Sequence, residues 1–191
     1  RRGLAVEVLA VEAETGLPVE EFAVRHQLRS GDSTERVQSA KDPRGRVLVE
    51  NVPRGENVFV VEPRGKRLWP SDPVMVNVTD QGAPLQRIEV LRAVSRSLLV
   101  VGESGAPVAG TRVELLRPSP GFEVDTRVLA FDQISLTHFG RGIFVHRLHY
   151  GVTDNAGRLE LRGPAGIELA VRLLGPGHVP MVEKGIVLGI E

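Results

Sequence analysis

The side chains best suited to chemistry crowd into one stretch. Residues 122–150 hold three of the five histidines, His138, His146 and His149, together with Asp132, the single Tyr150, Phe139 and Phe144. His146-Arg147-Leu148-His149 has metal-ligand spacing on a helix, where positions three apart share a face. On a strand, successive side chains alternate and the same two imidazoles diverge. Segments 132–139 and 143–150 around Gly140-Arg141-Gly142 read as a hairpin, which offers another set. With the hairpin centred on Arg141, His138 and His146 are diagonal neighbours on one face with Asp132 and Tyr150. Two imidazoles and a carboxylate are what zinc or iron would take. That face also carries Ile134, Leu136, Phe144 and Leu148, which describes an apolar surface meeting a core or a partner. No metal or cofactor is expected, and Asp132, His138 and His146 stand as the metal candidates.

Other chemistry finds little support. The chain has no cysteine, which excludes disulfides, thiolate nucleophiles and Cys-ligated zinc. Gly163-Pro164-Ala165-Gly166 and Gly175-Pro176-Gly177 lack the helix and lysine of a phosphate loop. No Ser-His-Asp or paired-carboxylate arrangement stands out, so no enzyme is expected and no catalytic residue is assigned. Sugar binding would need exposed aromatic platforms, and Trp69 and Tyr150 are the residues available for that. With 24 basic and 24 acidic residues the formal charge is zero, which gives no field to gather nucleic acid. No apolar segment approaches the length of about 18–20 residues that spans a bilayer, so membrane insertion is not expected.

The elements that must position these residues follow from a duplication. Gly16-Leu17-Pro18-Val19, then Asp42-Pro43-Arg44-Gly45-Arg46, recurs as Gly105-Ala106-Pro107-Val108, then Thr153-Asp154-Asn155-Ala156-Gly157-Arg158. The two halves, 1–93 and 94–191, are each long enough to bury a core of their own. The first half holds about seven short strand candidates separated by turn residues, and no convincing helix. Alternation over 46–52 points Val47, Val49 and Val52 inward and Leu48 outward. Asp42-Pro43-Arg44-Gly45 has the chemistry of a type I turn. Residues 63–72, with Trp69, read as a loop, and 93–95 as a short stiff tie between two strands. The distance from the first glycine to the aspartate is 26 residues in the first copy and 49 in the second. The second copy therefore holds an insertion of about 23 residues, at about 117–151.

The second copy, with Val101, Glu103, Gly105, Pro107, Gly110, Val113, Asp154, Gly157, Leu159 and Leu161, resembles the carboxypeptidase regulatory-like domain. The first half keeps the Asp42/Gly45 and Pro53/Gly55 spacing but has Glu21-Phe22 where that family has Gly-Ala. The resemblance implies an all-β chain of two tandem, seven-stranded, antiparallel Greek-key β-sandwiches, Ig-like and transthyretin-like, the second with a hairpin insertion. It further implies non-enzymatic structural, assembly or interaction modules of secreted or cell-surface bacterial proteins. A carbohydrate-binding module and a metal site in the hairpin are the alternatives. Expected partners are neighbouring domains or copies of the same protein, meeting Phe139, Phe144, Leu148, Tyr150 and Trp69, or a glycan. The resemblance also implies an extracytoplasmic location; the chain opens at Arg1-Arg2 with no methionine or apolar signal region, as a mature or excised piece of a longer polypeptide would. Cna-B modules are similar, but their isopeptide crosslink needs a lysine on the first strand, and 4–11 and 97–101 have none. Intradiol dioxygenases bind iron through two tyrosines, and this chain has one.

Overall fold

A computed structural model describes residues 3–29, 36–118, 145–175 and 181–189. These residues form strands and turns, with no helix among them. The chain divides into two compact units, Arg1–Ala93 and Val94–Glu191.

The first unit contains β1 (Leu4–Glu12), β2 (Glu21–Leu28), β3 (Arg36–Lys41), β4 (Arg46–Val52), β5 (Gly55–Pro63), β6 (Leu68–Trp69), β7 (Val74–Val78) and the beginning of β8 (Gln86–Leu99). One sheet runs β4-β1-β8 with β6 added on β8, and the other runs β3-β2-β5-β7. Their inner faces close over a common core: Val6, Val8 and Val49 from one, Phe22, Val24, Phe59 and Val61 from the other. Each such side chain, fully buried, contributes about 1.5–3 kcal/mol. All pairings are antiparallel except β1 with β8, which is parallel. The chain crosses between sheets and returns beside β1 in the same direction, so the first unit is not purely antiparallel.

Val49 and Val52 are both fully buried although three residues apart, and Leu48 is exposed. The register shifts between Leu4↔Val52 and Val6↔Val49, a bulge that sets Asn51 at φ 57° and turns Val52 back toward the core. The open side of β4 is met by a side chain from β3. The Gln38 amide donates to the Leu48 carbonyl at 2.7 Å and accepts from the Glu50 N–H at 3.2 Å.

Two sequence expectations need correcting here. Residues 63–72 are not wholly loop: Leu68 and Trp69 pair with Arg92 and Leu91 and are buried, because both are large and apolar beside an unfilled stretch of β8. The 93–95 tie is also absent as such. With neither Gly nor Pro to stop it, the strand continues from Gln86 to Leu99.

The second unit contains the end of β8, then β9 (Arg112–Pro118), β10 (Val145–Val152), β11 (Arg158–Pro164), β12 (Glu168–Leu174) and β13 (Met181–Val187). β11 pairs with β8, and the other sheet runs β10-β9-β12-β13. Val100 and Leu161 meet Val113, Leu115, Leu169 and Val171 in its core. β9 extends to Pro118 and β10 begins at Val145, so both strands reach into the interval 117–151, and residues 119–144 lie outside the described residues.

The duplicated motif is one interlock built twice. In the first unit, Ala10 donates its N–H to the Gly45 carbonyl (2.8 Å) and accepts the Val19 N–H (3.0 Å). In the second, Val100 donates to Gly157 (2.8 Å) and accepts from Val108 (2.9 Å). Gly45 and Gly157 close their turns with N–H bonds of 2.9 Å to the Asp42 and Asp154 carbonyls, at φ 67° and 70°. A Cβ on Gly45 would lie 2.5 Å from the Ala10 oxygen and 3.0 Å from Pro18 Cβ, and one on Gly157 2.7 Å from the Val100 oxygen and 3.0 Å from Pro107 Cβ. Gly16 and Gly105 have positive φ too, yet a Cβ there meets nothing within 4 Å.

That contrast makes a prediction. Gly16→Ala and Gly105→Ala carry the left-handed penalty alone, about 1–2 kcal/mol. Gly45→Ala and Gly157→Ala add a collision with backbone, and losses of about 3 kcal/mol or more are expected. Urea unfolding of the four variants checks the order, and equal losses would refute the interlock as the cause.

Candidate functional site

The aspartates of the duplicated turns show how the sequence spends its carboxylates. Asp154 Oδ1 accepts the N–H groups of Ala156 (2.9 Å) and Arg158 (2.8 Å), and Asp42 Oδ1 accepts that of Arg44 (2.9 Å). Each is an Asx-type cap that saves turn donors from going unpaired. Thr153 works beside Asp154. Its hydroxyl donates to the Val108 carbonyl (2.8 Å) and accepts the Thr111 N–H (3.0 Å), pinning the Pro107 segment to the turn.

Of the residues singled out from sequence, Trp69 is 7% exposed. A ring in the core cannot serve as a sugar platform or a partner contact, so that assignment is withdrawn. Asp132, His138, Phe139 and Phe144 lie outside the described residues. His146, Leu148 and Tyr150 fall on β10, an edge of its sheet, with His146 opposite Arg117 and Tyr150 opposite Glu114. The 143–150 arm of the expected hairpin is thus paired with β9, while the 132–139 arm lies outside the described residues. The register shifts between Arg147 and His149, leaving Leu148 as the extra residue. His146 and His149 therefore stand opposite Arg117 and Leu115, two apart on β9. Among the described residues no group of three His, Asp or Glu side chains could hold a metal ion.

The structure exposes two polar arrangements that sequence patterning missed. On β9, Glu114 is fully buried and stands directly opposite Arg172 of β12, itself 2% exposed. Arg172 Nε donates to Glu114 Oε2 at 2.8 Å, its terminal nitrogen contacts the same oxygen, and Arg112 approaches Oε1 at 2.8 Å. The strand alternates Val113 and Leu115 into the core with Glu114 and Leu116 on the reverse face, yet Leu116 and Ala170 there are buried too. An apolar Leu116 beside Glu114 was the one hint in the sequence. Arg172 is thus a buried counter-charge to the Glu114 carboxylate, joining β12 to β9.

The second arrangement is His26, 3% exposed on β2, opposite Phe59 of β5 and Arg36 of β3. Its ring stacks on Phe59 with centroids 5.4 Å apart, and its Nδ1 has no partner among the described residues. Burial, with the Arg36 charge adding to it, holds the imidazole below its ordinary value of 6.5. Other charges on this sheet form pairs such as the half-buried Arg25–Glu62 (2.8 Å) and the exposed Arg29–Glu56 (2.9 Å), the exposed one contributing little.

Two clefts open on the first unit. One of about 290 Å³ is lined by Glu12, Thr15, Arg67, Val90 and Arg92, with the Glu12 carboxylate engaged by Thr15 (3.2 Å) and Arg67. The other, about 710 Å³, is bordered by Gly3, Leu28, Arg36, Asn51 and Arg54. Arg36 bonds the Asn51 carbonyl (2.7 Å) and Arg54 pairs with Asp80, so their cations are occupied in holding strand ends.

Two predictions follow from the buried groups. Arg172→Met leaves Glu114 short of its main counter-charge and should lower stability by about 3–5 kcal/mol, whereas Arg172→Met with Glu114→Leu should recover most of the loss. Equal damage in the single and double variants would contradict this. For His26, the folded value lies below the unfolded one, so stability is full above about pH 6.5. It falls as the pH drops from there, until the folded-state value is passed. The slope is at most about 1.4 kcal/mol per pH unit for one proton. Urea titrations at pH 7.5 and 5 should show this acid loss in the wild type and its removal in His26→Leu.

No family model matches the chain, and no curated protein does. Solved structures do resemble it. A streptococcal ancillary pilin is 13% identical with a TM-score of 0.41, covering 98% of this chain; the chain spans 59% of that pilin's length. The minor pilin of Streptococcus agalactiae is 14% identical with a TM-score of 0.41, over 97% of this chain and 91% of its own. The shaft pilin of Lactobacillus rhamnosus GG is 8% identical with a TM-score of 0.34, over 99% and 96%.

Proposed function

We propose that this chain is a non-enzymatic structural and assembly segment of a secreted or cell-surface bacterial protein. Its two parts, 1–93 and 94–191, are read as tandem seven-stranded Greek-key modules of the carboxypeptidase regulatory-like type. The observation that carries this reading is the twofold interlock. The recurring Asp-x-x-Gly turn and the residue after the recurring Pro are consumed in joining strands, at Ala10–Gly45–Val19 and again at Val100–Gly157–Val108. What repeats in the sequence is spent on rigidity, and the buried charges Glu114 and Arg172 neutralise each other. The carbohydrate alternative loses one of its two aromatic candidates with the burial of Trp69.

The insertion is the part not required by the repeat, and the contacts with a neighbouring domain or copy are assigned to it, through Phe139 and Phe144, with Leu148 and Tyr150 on the adjoining strand. Pro118 and Val145 are direct register partners on β9 and β10. A two-residue Asn-Gly turn can therefore replace 119–144 without removing either strand. The shortened chain should unfold cooperatively near the wild-type midpoint. Its self-association should weaken by about thirtyfold or more, as expected from losing one aromatic anchor of about 2 kcal/mol. Analytical ultracentrifugation measures this, and association unchanged by the replacement refutes the assignment.

A further inference from the structure

The two units are built alike but are not equally complete. In the first, β1 is flanked on both sides: β4 runs antiparallel along one edge and β8 runs parallel along the other, pairing Val8 to Glu12 with Gln86 to Val90. That parallel strand also sends Ile88 and Val90 into the core, 1% and 0% exposed. In the second unit the counterpart of β1 is the end of β8 and the residues just after it. Ala10 and Val100 occupy the same place in the interlock, so Leu9 and Val11 correspond to Leu99 and Val101.

One edge of this segment is occupied by β11, Gly157 and Val108. Along the other edge no strand pairs among the described residues. The Val100 N–H and C=O both point to the occupied side, so by alternation the Leu99 and Val101 peptide groups face the open one. Exposure changes accordingly. Leu9 is half-buried and Val11 is 4% exposed, but Leu99 and Val101 are 47% and 49% exposed. Leu98, whose counterpart Val8 is fully buried, is only partly covered at the margin of the second core.

We propose that the open edge over residues 98–102 is a docking slot for one further parallel β-strand. The occupant is the leading strand of another module of this kind placed next in an array. Its signature is two aliphatic residues separated by one polar residue, as in Ile88-Glu89-Val90. The strand's backbone pairs with Leu99 and Val101, and by the β1–β8 register its aliphatic pair covers the margin of the core beside Val100 and Gly102. This rests on reading the chain as tandem modules, but it concerns a different surface from the insertion.

The test adds a peptide of the sequence of residues 85–93 to the full chain, up to millimolar, and follows amide hydrogen exchange at Leu99 and Val101. Exchange there should slow saturably, about tenfold once the peptide reaches about ten times its Kd. A peptide carrying Ile88→Asp and Val90→Asp should have no effect. The slot is refuted by unchanged exchange at every concentration, or by equal protection from the aspartate peptide. Protection that rises with the chain's own concentration in the absence of peptide also refutes it, since the edge then pairs between copies. Self-association through the insertion is read by sedimentation, so either idea can fail without the other.

Discussion

Everything in each unit depends on one close approach of backbone to backbone. At Ala10, and again at Val100, a single residue is held twice along one edge, by a glycine carbonyl and by the N–H that follows a proline. The glycine must come within a distance that excludes any Cβ, and it must sit at positive φ. Both demands are local, yet they tie together residues 35 apart in the first copy and 57 apart in the second. Strands whose order along the chain is distant thereby gain fixed register, and a one-residue slip would turn core valines to solvent.

The fold was legible in the sequence where local chemistry and tertiary need coincide. Asp42 to Gly45 and Asp154 to Gly157 are turns whose residues declare the conformation they take. The inward set Val47, Val49 and Val52 was readable too, although its reason, the bulge at Asn51, was not. A bulge has no composition of its own, and the same is true of the shift beside Leu148. Trp69 was misplaced because its neighbours Arg64, Gly65, Lys66 and Pro70 are loop-forming, while its burial is decided by β8, more than twenty residues away. The tie at 93–95 failed for the opposite reason. Two apolar segments were kept apart although nothing between them could end a strand.

Charge was the least legible part of the candidate site. Glu114 lies in an alternating strand where a polar residue ordinarily faces water. Its burial depends on Arg172, which sits 58 residues away and becomes its neighbour only through the β9–β12 register. His26 is similar: the pattern Phe22, Val24, His26 marks it as inward-facing, but the Phe59 ring that receives it is a non-local fact. Buried polar groups of this kind limit the partners a strand can accept, since any other register leaves a charge without its complement.

The Gln38 amide extends this logic to the sheet margin. A primary amide has the same donor and acceptor as a peptide unit, and here it takes the two positions on β4 that an added strand would take. The margin therefore ends in a side chain that cannot itself be extended. Such a terminator bars strand addition along this border without a proline or a repelling charge. The cost is small, one glutamine rotamer, and the protection persists at any ionic strength, because it works by occupancy and not by repulsion.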